Sequence, residues 1–368
     1  MNNICDKQAA AGRQRILVTG AAGFIGSFTA ARLAQLGHDV IGCDSFNNYY
    51  DPGLKHQRVR ELLAPRGVAC LEVNLADSER TARLFDDVRP TLVVHLAAQA
   101  GVRYSLRNPS ACIQSNLLAF GHVLEACRLH EVHHLLYASS SSIYGANTAA
   151  PFREDASTDA PVSLYAATKK ANELMAHAYS QLYSMPATGV RLFTAYGPWG
   201  RPDMAYFSFT EKIVNREPIP VFAGGELRRD FTYIDDIVEG IVRLLFKPQP
   251  GGGEPPHAIF NIGNNSPVRV LDFIGALEAL LNTKARIQHL PMQPGDVPLT
   301  YAATDKVQAW VGLTPMVPLT LGLQRFVDWY LPWSARRASG DTRLMAAPMP
   351  AAALPAAAFL PPLVPIVG

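Results

Sequence analysis

The chain has few cysteines, no block of like charge and no long apolar stretch, and each shortage removes a class of protein. Its five cysteines, Cys5, Cys43, Cys70, Cys112 and Cys127, are odd in number, dispersed and free of CxxC spacing. That pattern argues against a disulfide frame or a zinc site and suits reduced thiols in a cytoplasmic protein. Lys and Arg total 33 against 31 Asp and Glu, a formal charge of +2, and no basic run offers a surface for nucleic acid. No uninterrupted apolar run reaches the ~20 residues of a membrane span. The nearest, residues 344–368, holds six prolines, which would break a helix repeatedly. Residues 1–15 are polar and lack the apolar core of a secretion signal. The adjacent His133 and His134 read as surface or packing residues, so no metal is expected. What is present is 48% apolar and 17% charged residues over 368 positions, the composition of an ordinary globular protein with a sizeable core.

The first half alternates short apolar runs with helical spacing. Ile16 to Val18, Asp39 to Cys43, Ala69 to Val73, Thr91 to Leu96 and His134 to Ala138 read as buried strands. Phe24 to Leu36, Ser78 to Val88, Pro109 to Leu129 and Ser163 to Tyr183 read as helices between or after them. Such alternation predicts an α/β fold, a Rossmann-type doubly wound parallel sheet. After Phe193 the pattern is less regular, which predicts a smaller, intermingled α/β substrate-binding part. The expected division is residues 14–193 for the dinucleotide domain and 194–333 for the substrate part, with segments returning to the sheet. Leu319 to Tyr330 reads as the last ordered helix, and 334–368 as a disordered Ala/Pro-rich tail.

Gly20, Gly23 and Gly26 occupy the turn between the first strand and first helix, in GxxGxxG spacing. Glycines there let backbone amides approach a pyrophosphate at a helix N-terminus. The spacing alone suits a structural turn as well; its place between strand and helix favours a cofactor, with Phe24 and Ile25 completing the turn. Asp44 ends the second strand, 18 residues past Gly26, where a carboxylate can bind an adenosine ribose and repel a 2′-phosphate. NAD is therefore expected over NADP. Tyr165 and Lys169 lie four residues apart and share one helix face. A nearby ammonium favours phenolate over a phenol of pKa ~10, and Ser140 offers a hydroxyl to share a substrate proton. Glycine turn, acid, serine and Tyr-Lys pair, in that order, predict a dehydrogenase-type site.

Five stretches then carry a more specific likeness: Gln99 to Ser105, Ser139 to Gly145, Pro161 to Met175, Tyr196 to Met204 and Arg229 to Asp236. Together they make the chain, from about Arg15 to Trp333, resemble the NAD-dependent epimerases and dehydratases of the extended short-chain dehydrogenase/reductase superfamily. Within these it is similar to the enzymes that epimerise UDP-glucuronate at carbon 4. The resemblance implies oxidation at carbon 4, rotation of a 4-keto sugar and reduction from the other face. It implies Tyr165 as base, Lys169 as its pKa partner and ribose contact, and Ser140 as third member. It places Arg229 at the UDP phosphates and Asp296 near the uridine ribose. Thr194 stands where galactose-type epimerases carry Asn. Asn74-Leu75 stands where the family has Asp-Leu beside the adenine, and Leu96 belongs to the same cofactor wall. The long helices imply a homodimer.

Dehydratases of the superfamily carry Thr-Asp-Glu at the catalytic hydroxyl, and glucuronate decarboxylases carry Thr-Ser-Glu. Here the triplet is Ser140-Ser141-Ser142, so proton transfer at carbons 5 and 6 lacks its acids. A 4-keto uronic acid is a β-keto acid and can lose carbon dioxide. Ser141 and Ser142 are expected to hold its carboxylate, helped by Arg201 and, more weakly, Arg103. A strand-end turn would use the same serines, so that alternative stays open. UDP-glucose epimerisation, UDP-glucuronate decarboxylation and a noncatalytic NAD-binding regulator are the competing readings.

Overall fold

A computed structural model describes residues 12–146, 149–293 and 296–339. Its centre is a seven-stranded sheet built from β1 (Arg15–Thr19), β2 (Asp39–Asp44), β3 (Ala69–Glu72), β4 (Leu92–His95), β5 (His134–Ser140) and β6 (Ala187–Leu192). Two smaller sheets use β7 (Thr194–Tyr196), β8 (Pro218–Phe222) and β9 (Arg228–Tyr233). The last strands are β10 (His257–Ile262), β11 (Pro267–Arg269) and β12 (Arg286–Leu290). The large sheet runs β10-β6-β5-β4-β1-β2-β3, with every neighbouring pair parallel. The small ones are β11-β9-β7 and β12-β8.

The apolar runs of the first half become central strands because both faces of the sheet are covered. Ile16 and Val18 pack into the core layer on one face, and Leu17 into the layer on the other. Leu92 and Val94 join the first layer and Val93 the second, as the two-residue period of a strand requires. Strand order reverses between β1 and β4, which opens a crevice at their carboxyl ends. The glycine turn after β1 and the serines at the end of β5 both reach this rim.

Two boundaries differ from expectation. Strand β5 continues through Ser140, so the catalytic hydroxyl terminates a strand instead of following it. The final helix spans Leu319–Ser339, past the expected boundary at Trp333. Arg336 and Arg337 stand in its last turn, where cations complement the helix dipole. Arg337 also pairs with Asp51 at 3.3 Å and lies over the Trp333 ring. The expected tail from residue 340 onward, and the polar segment 1–11, lie outside the described residues.

The helix Ile234–Leu245 carries a costly carboxylate. Asp235 is buried, neither carboxylate oxygen has a hydrogen-bond partner, and its one ion pair, to Arg325, is 3.5 Å long. Burial pushes its pKa up to about 6, against the pull of Arg325. Between the free-acid value near 4 and about 6, the folded form binds more protons than the unfolded one. Stability therefore falls as pH rises through that window, and the cost is complete above it. Asp235→Asn is expected to raise the melting temperature at pH 7.5 and to change it little at pH 4. Calorimetry at the two pH values checks this; an equal shift at both would refute it.

Candidate active site

The carboxyl ends of the central strands open into one cleft of about 710 Å³. Every residue expected from the sequence at the cofactor and substrate sites lines it, from Gly20, Gly23, Phe24, Ile25 and Gly26 through Asp44, Asn74, Leu75 and Leu96 to Asp296. Tyr165, Lys169, Ser140, Ser141, Ser142, Thr194, Arg201, Arg229 and Arg103 complete the wall.

The cofactor end begins at the glycine turn. Gly23 donates to the Gly20 carbonyl at 2.9 Å and Ser27 to Gly23 at 3.1 Å, closing the turn onto the helix Phe24–Gln35. A methyl group on Gly26 would collide with the Gly20 carbonyl, and one on Gly20 would sit 2.8 Å from the Ala97 nitrogen. Glycine is needed here for close approach of backbone to backbone, which leaves the amides beside the cleft. Asp44 is buried at the rim, and its Oδ1 accepts from the Phe46 amide at 2.8 Å and Lys55 Nζ at 3.0 Å. Asn74 spends its amide oxygen on the Ala76 nitrogen at 3.1 Å, so its side chain shapes a turn in the adenine wall.

The catalytic end is built on β5 and the helix Leu164–Tyr183. Ser163 caps that helix by accepting from the Ala166 amide at 3.1 Å, which sets Tyr165 in the first turn. Tyr165 is half-buried, and loss of solvent around the phenol pushes its pKa up. A hydrogen bond with Ser140 and the charge of Arg201 pull it back. The Lys169 amine, on the same helix face, donates to the Ala138 carbonyl at 2.7 Å. Burial lowers the lysine pKa to about 8, while Cys112 and Glu173 oppose that shift. Ser140 accepts from the Ser142 amide and donates to the Ser142 hydroxyl, both at 3.2 Å.

The sequence understated the shell behind these groups. Ser139, buried beside the cleft, donates to Glu173 Oε1 at 2.6 Å. Glu173 is gripped by the Arg191 fork at 2.9 and 2.8 Å. Asn116 lies in a π-helical turn, Gln114–Leu118, inside the long helix. Its amide accepts from the Gln99 nitrogen and donates to the Gln99 carbonyl and Thr168 Oγ1. It thereby organises the loop after β4, a role for which π turns often serve. His95 bonds Thr19 at 2.9 Å, and burial lowers its pKa to about 3. His134 bonds the Leu245 carbonyl and Thr188, which makes it a packing residue. Among the described residues no cluster could hold a metal.

The far end collects three expected residues. Arg103 pairs with Asp296 at 3.1 Å and stacks on Phe222 at 4.8 Å. Arg229 feels both Arg103 and Asp296. Arg103, the weaker candidate for the sugar carboxylate, thus stands beside Asp296 and Arg229. Asp230, beside Arg229, accepts from the amides of Asn264, Asn265 and Ala302, pinning the loops that frame this end. Arg201 is gripped by Asp203 through Nε at 3.0 Å and Nη2, leaving Nη1 outside that pair. Lys55, Tyr49 and Phe222 had no signal in the sequence, because they lie in segments without periodicity and meet the site only in three dimensions.

The glycine turn, ribose carboxylate and Tyr-Ser pair fall in one cleft, and residues 16–263 match the model of the NAD dependent epimerase/dehydratase family. The chain belongs to that family. UDP-glucuronate 4-epimerase 1 of Arabidopsis thaliana is 48% identical over 86% of this chain and 76% of its own length. A probable UDP-glucuronate 4-epimerase of Rhizobium meliloti is 44% identical over 86% and 96%. The crystal structure of a Bacillus cereus UDP-glucuronic acid 4-epimerase, in complex with UDP-glucuronic acid and NAD, has a TM-score of 0.78 and 32% identity. It covers 85% of this chain and 98% of that one.

Proposed function

We propose that this chain interconverts UDP-glucuronate and UDP-galacturonate by oxidation and re-reduction at sugar carbon 4, with NAD as its resident cofactor. One observation carries the reading: the Tyr165–Ser140 pair opens onto a strand end that continues with two serines and no acid. The names of the relatives and the ligands in the B. cereus crystal support it. The glycine turn, Asp44, Asn74, Leu75, Leu96 and Lys169 hold NAD, which when bound takes the hydride from carbon 4 and returns it. Tyr165 accepts the proton of the 4-hydroxyl while Ser140 bonds the same oxygen, and Tyr165 gives the proton back after the sugar has turned over. Arg229 and Arg103 neutralise the diphosphate, and Asp296 bonds the uridine ribose. Ser141, Ser142, Thr194 and the free Nη1 edge of Arg201 hold the carboxylate.

Purified protein given UDP-glucuronate without added reductant is expected to form UDP-galacturonate and almost no UDP-pentose. Pentose as the main product, or no turnover with NAD bound, would refute the reading. The Ser141→Ala/Ser142→Ala double variant is expected to raise KM for the uronate about tenfold and increase the pentose fraction. Unchanged KM with unchanged products would remove the serines from the site.

A homodimer is part of the same proposal. Ile113, Leu118, Leu174 and Leu182 stand 46–70% exposed on the two long helical segments, more apolar surface than two isolated helices of a monomer usually leave in water. Leu174→Glu/Leu182→Glu is expected to convert a dimer to a monomer in light scattering; an unaltered mass would place the interface elsewhere. No helix among the described residues is long and apolar enough to cross a membrane, and Cys43, Cys70, Cys112 and Cys127 are free thiols, which suits the cytoplasm.

A further inference from the structure

A short helix, Pro52–Arg58, lies against both halves of the cleft and carries two buried cations three residues apart. Lys55 reaches Asp44 and, at 3.3 Å, Asn47. Arg58 is fully buried, and its planar guanidinium donates four hydrogen bonds. Nε donates to the Trp199 carbonyl at 2.8 Å and Nη2 to the Gly200 carbonyl at 3.0 Å. Nη1 donates to the Ala22 carbonyl at 3.1 Å and to the Tyr50 hydroxyl at 2.6 Å.

All four acceptors are neutral. A buried cation held without a carboxylate is a poor stabilising device, since apolar side chains of similar volume fill a core at lower desolvation cost. What the planar fork supplies is a fixed relation between the groups it holds. Ala22 belongs to the glycine turn that faces the pyrophosphate. Trp199 and Gly200 immediately precede Arg201, whose guanidinium acts on Tyr165. The segment entering the helix closes the other side of the same loop. Tyr49 donates to Asp203 Oδ2 at 3.0 Å, and Arg201 lies over its ring at 5.8 Å.

We propose that Arg58 is a positioning residue, which fixes the Trp199–Asp203 loop against the glycine turn and so sets where Arg201 stands beside Tyr165 and the sugar carboxylate. The catalytic part of this inference rests on the reaction proposed above. Arg58 touches neither the sugar nor the reacting atoms; it acts through Arg201. Because the same helix holds Asp44 through Lys55, cofactor and carboxylate sites share one rigid support.

The test uses the NAD-bound protein. Arg58→Lys keeps the charge but cannot serve both loops. Its crystal structure is expected to show the Arg201 guanidinium displaced relative to the glycine turn. Its KM for UDP-glucuronate is expected to rise about tenfold, with a larger pentose fraction and little change in NAD retention. In an Arg201→Met background the same substitution is expected to add almost nothing, the signature of two residues acting through one path. Fully additive effects, or an unmoved Arg201, would overturn the proposal. Tyr50→Phe removes one acceptor from Arg58 without touching its charge, so a smaller shift in the same direction is expected even where Arg58→Lys does not fold; no shift would overturn it too. Wild-type protein that ignores UDP-glucuronate would refute the proposed reaction, and the position of Arg201 in the Arg58→Lys crystal would then still decide the role of Arg58.

Discussion

Tyr165→Phe is expected to reduce epimerisation of UDP-glucuronate by about 10²–10⁴-fold, the usual contribution of a positioned acid/base, while NAD and UDP-glucuronate still bind. The ring stays in place, held at the first turn of a helix capped by Ser163, so packing is preserved and only the hydroxyl is lost. Burial holds the phenol above its ordinary pKa, and Ser140 and Arg201 pull it down. With the net shift upward, its proposed role as base draws on the positive charge that bound oxidised cofactor would add. Removing Arg201 is expected to move the acidic limb of the kcat/KM profile to higher pH, because the phenolate loses a favourable neighbour. Stopped-flow absorbance of the reduced nicotinamide reads the first half-reaction directly. Turnover within threefold of wild type would remove Tyr165 from its role.

The second large effect is on stability. Arg191→Met is expected to cost about 3–5 kcal/mol, the range for stripping one partner from a buried ion pair. Arg191 and Glu173 are 4% and 6% exposed and share two hydrogen bonds. Methionine would leave the Glu173 carboxylate with Ser139 alone. That loss is a large share of the 5–15 kcal/mol that holds most domains together. Arg191 also donates to the Tyr144 hydroxyl and the Glu154 carbonyl, so the loop leading to the catalytic helix is expected to loosen as well. Denaturant titration measures the loss; a cost below about 1 kcal/mol would show that the pair is dispensable. Glu173→Gln/Arg191→Met, which removes both charges, is expected to recover part of it.

The parallel sheet was legible because its strands are short apolar runs separated by helices of regular period, and both signals are local. Gly20, Gly26, Asp44 and Tyr165 were legible for a related reason: each serves a turn, a strand end or a first helical turn at a fixed place in a βαβ unit. The contacts of Arg103 with Asp296 and Phe222 were not legible, because both neighbours are far away in sequence and nothing nearby marks its direction. Nor was the bond from Lys169 to the Ala138 carbonyl. Spacing on a helix puts two side chains on one face, but it does not say which carbonyl a long flexible amine will choose. Arg58 and Lys55 carried no motif at all.

By itself the sequence determined the fold class, the glycine turn and the absence of acids beside Ser140, since these depend on residue type and short spacing. Only the tertiary structure decided which cations stand together in the cleft, which groups surround Tyr165, and that Arg58 bonds both the glycine turn and the residues before Arg201. Charges act through space over a few ångströms, and the partners that set their effect here are brought together by folding from positions up to 193 residues apart, as Arg103 and Asp296 are.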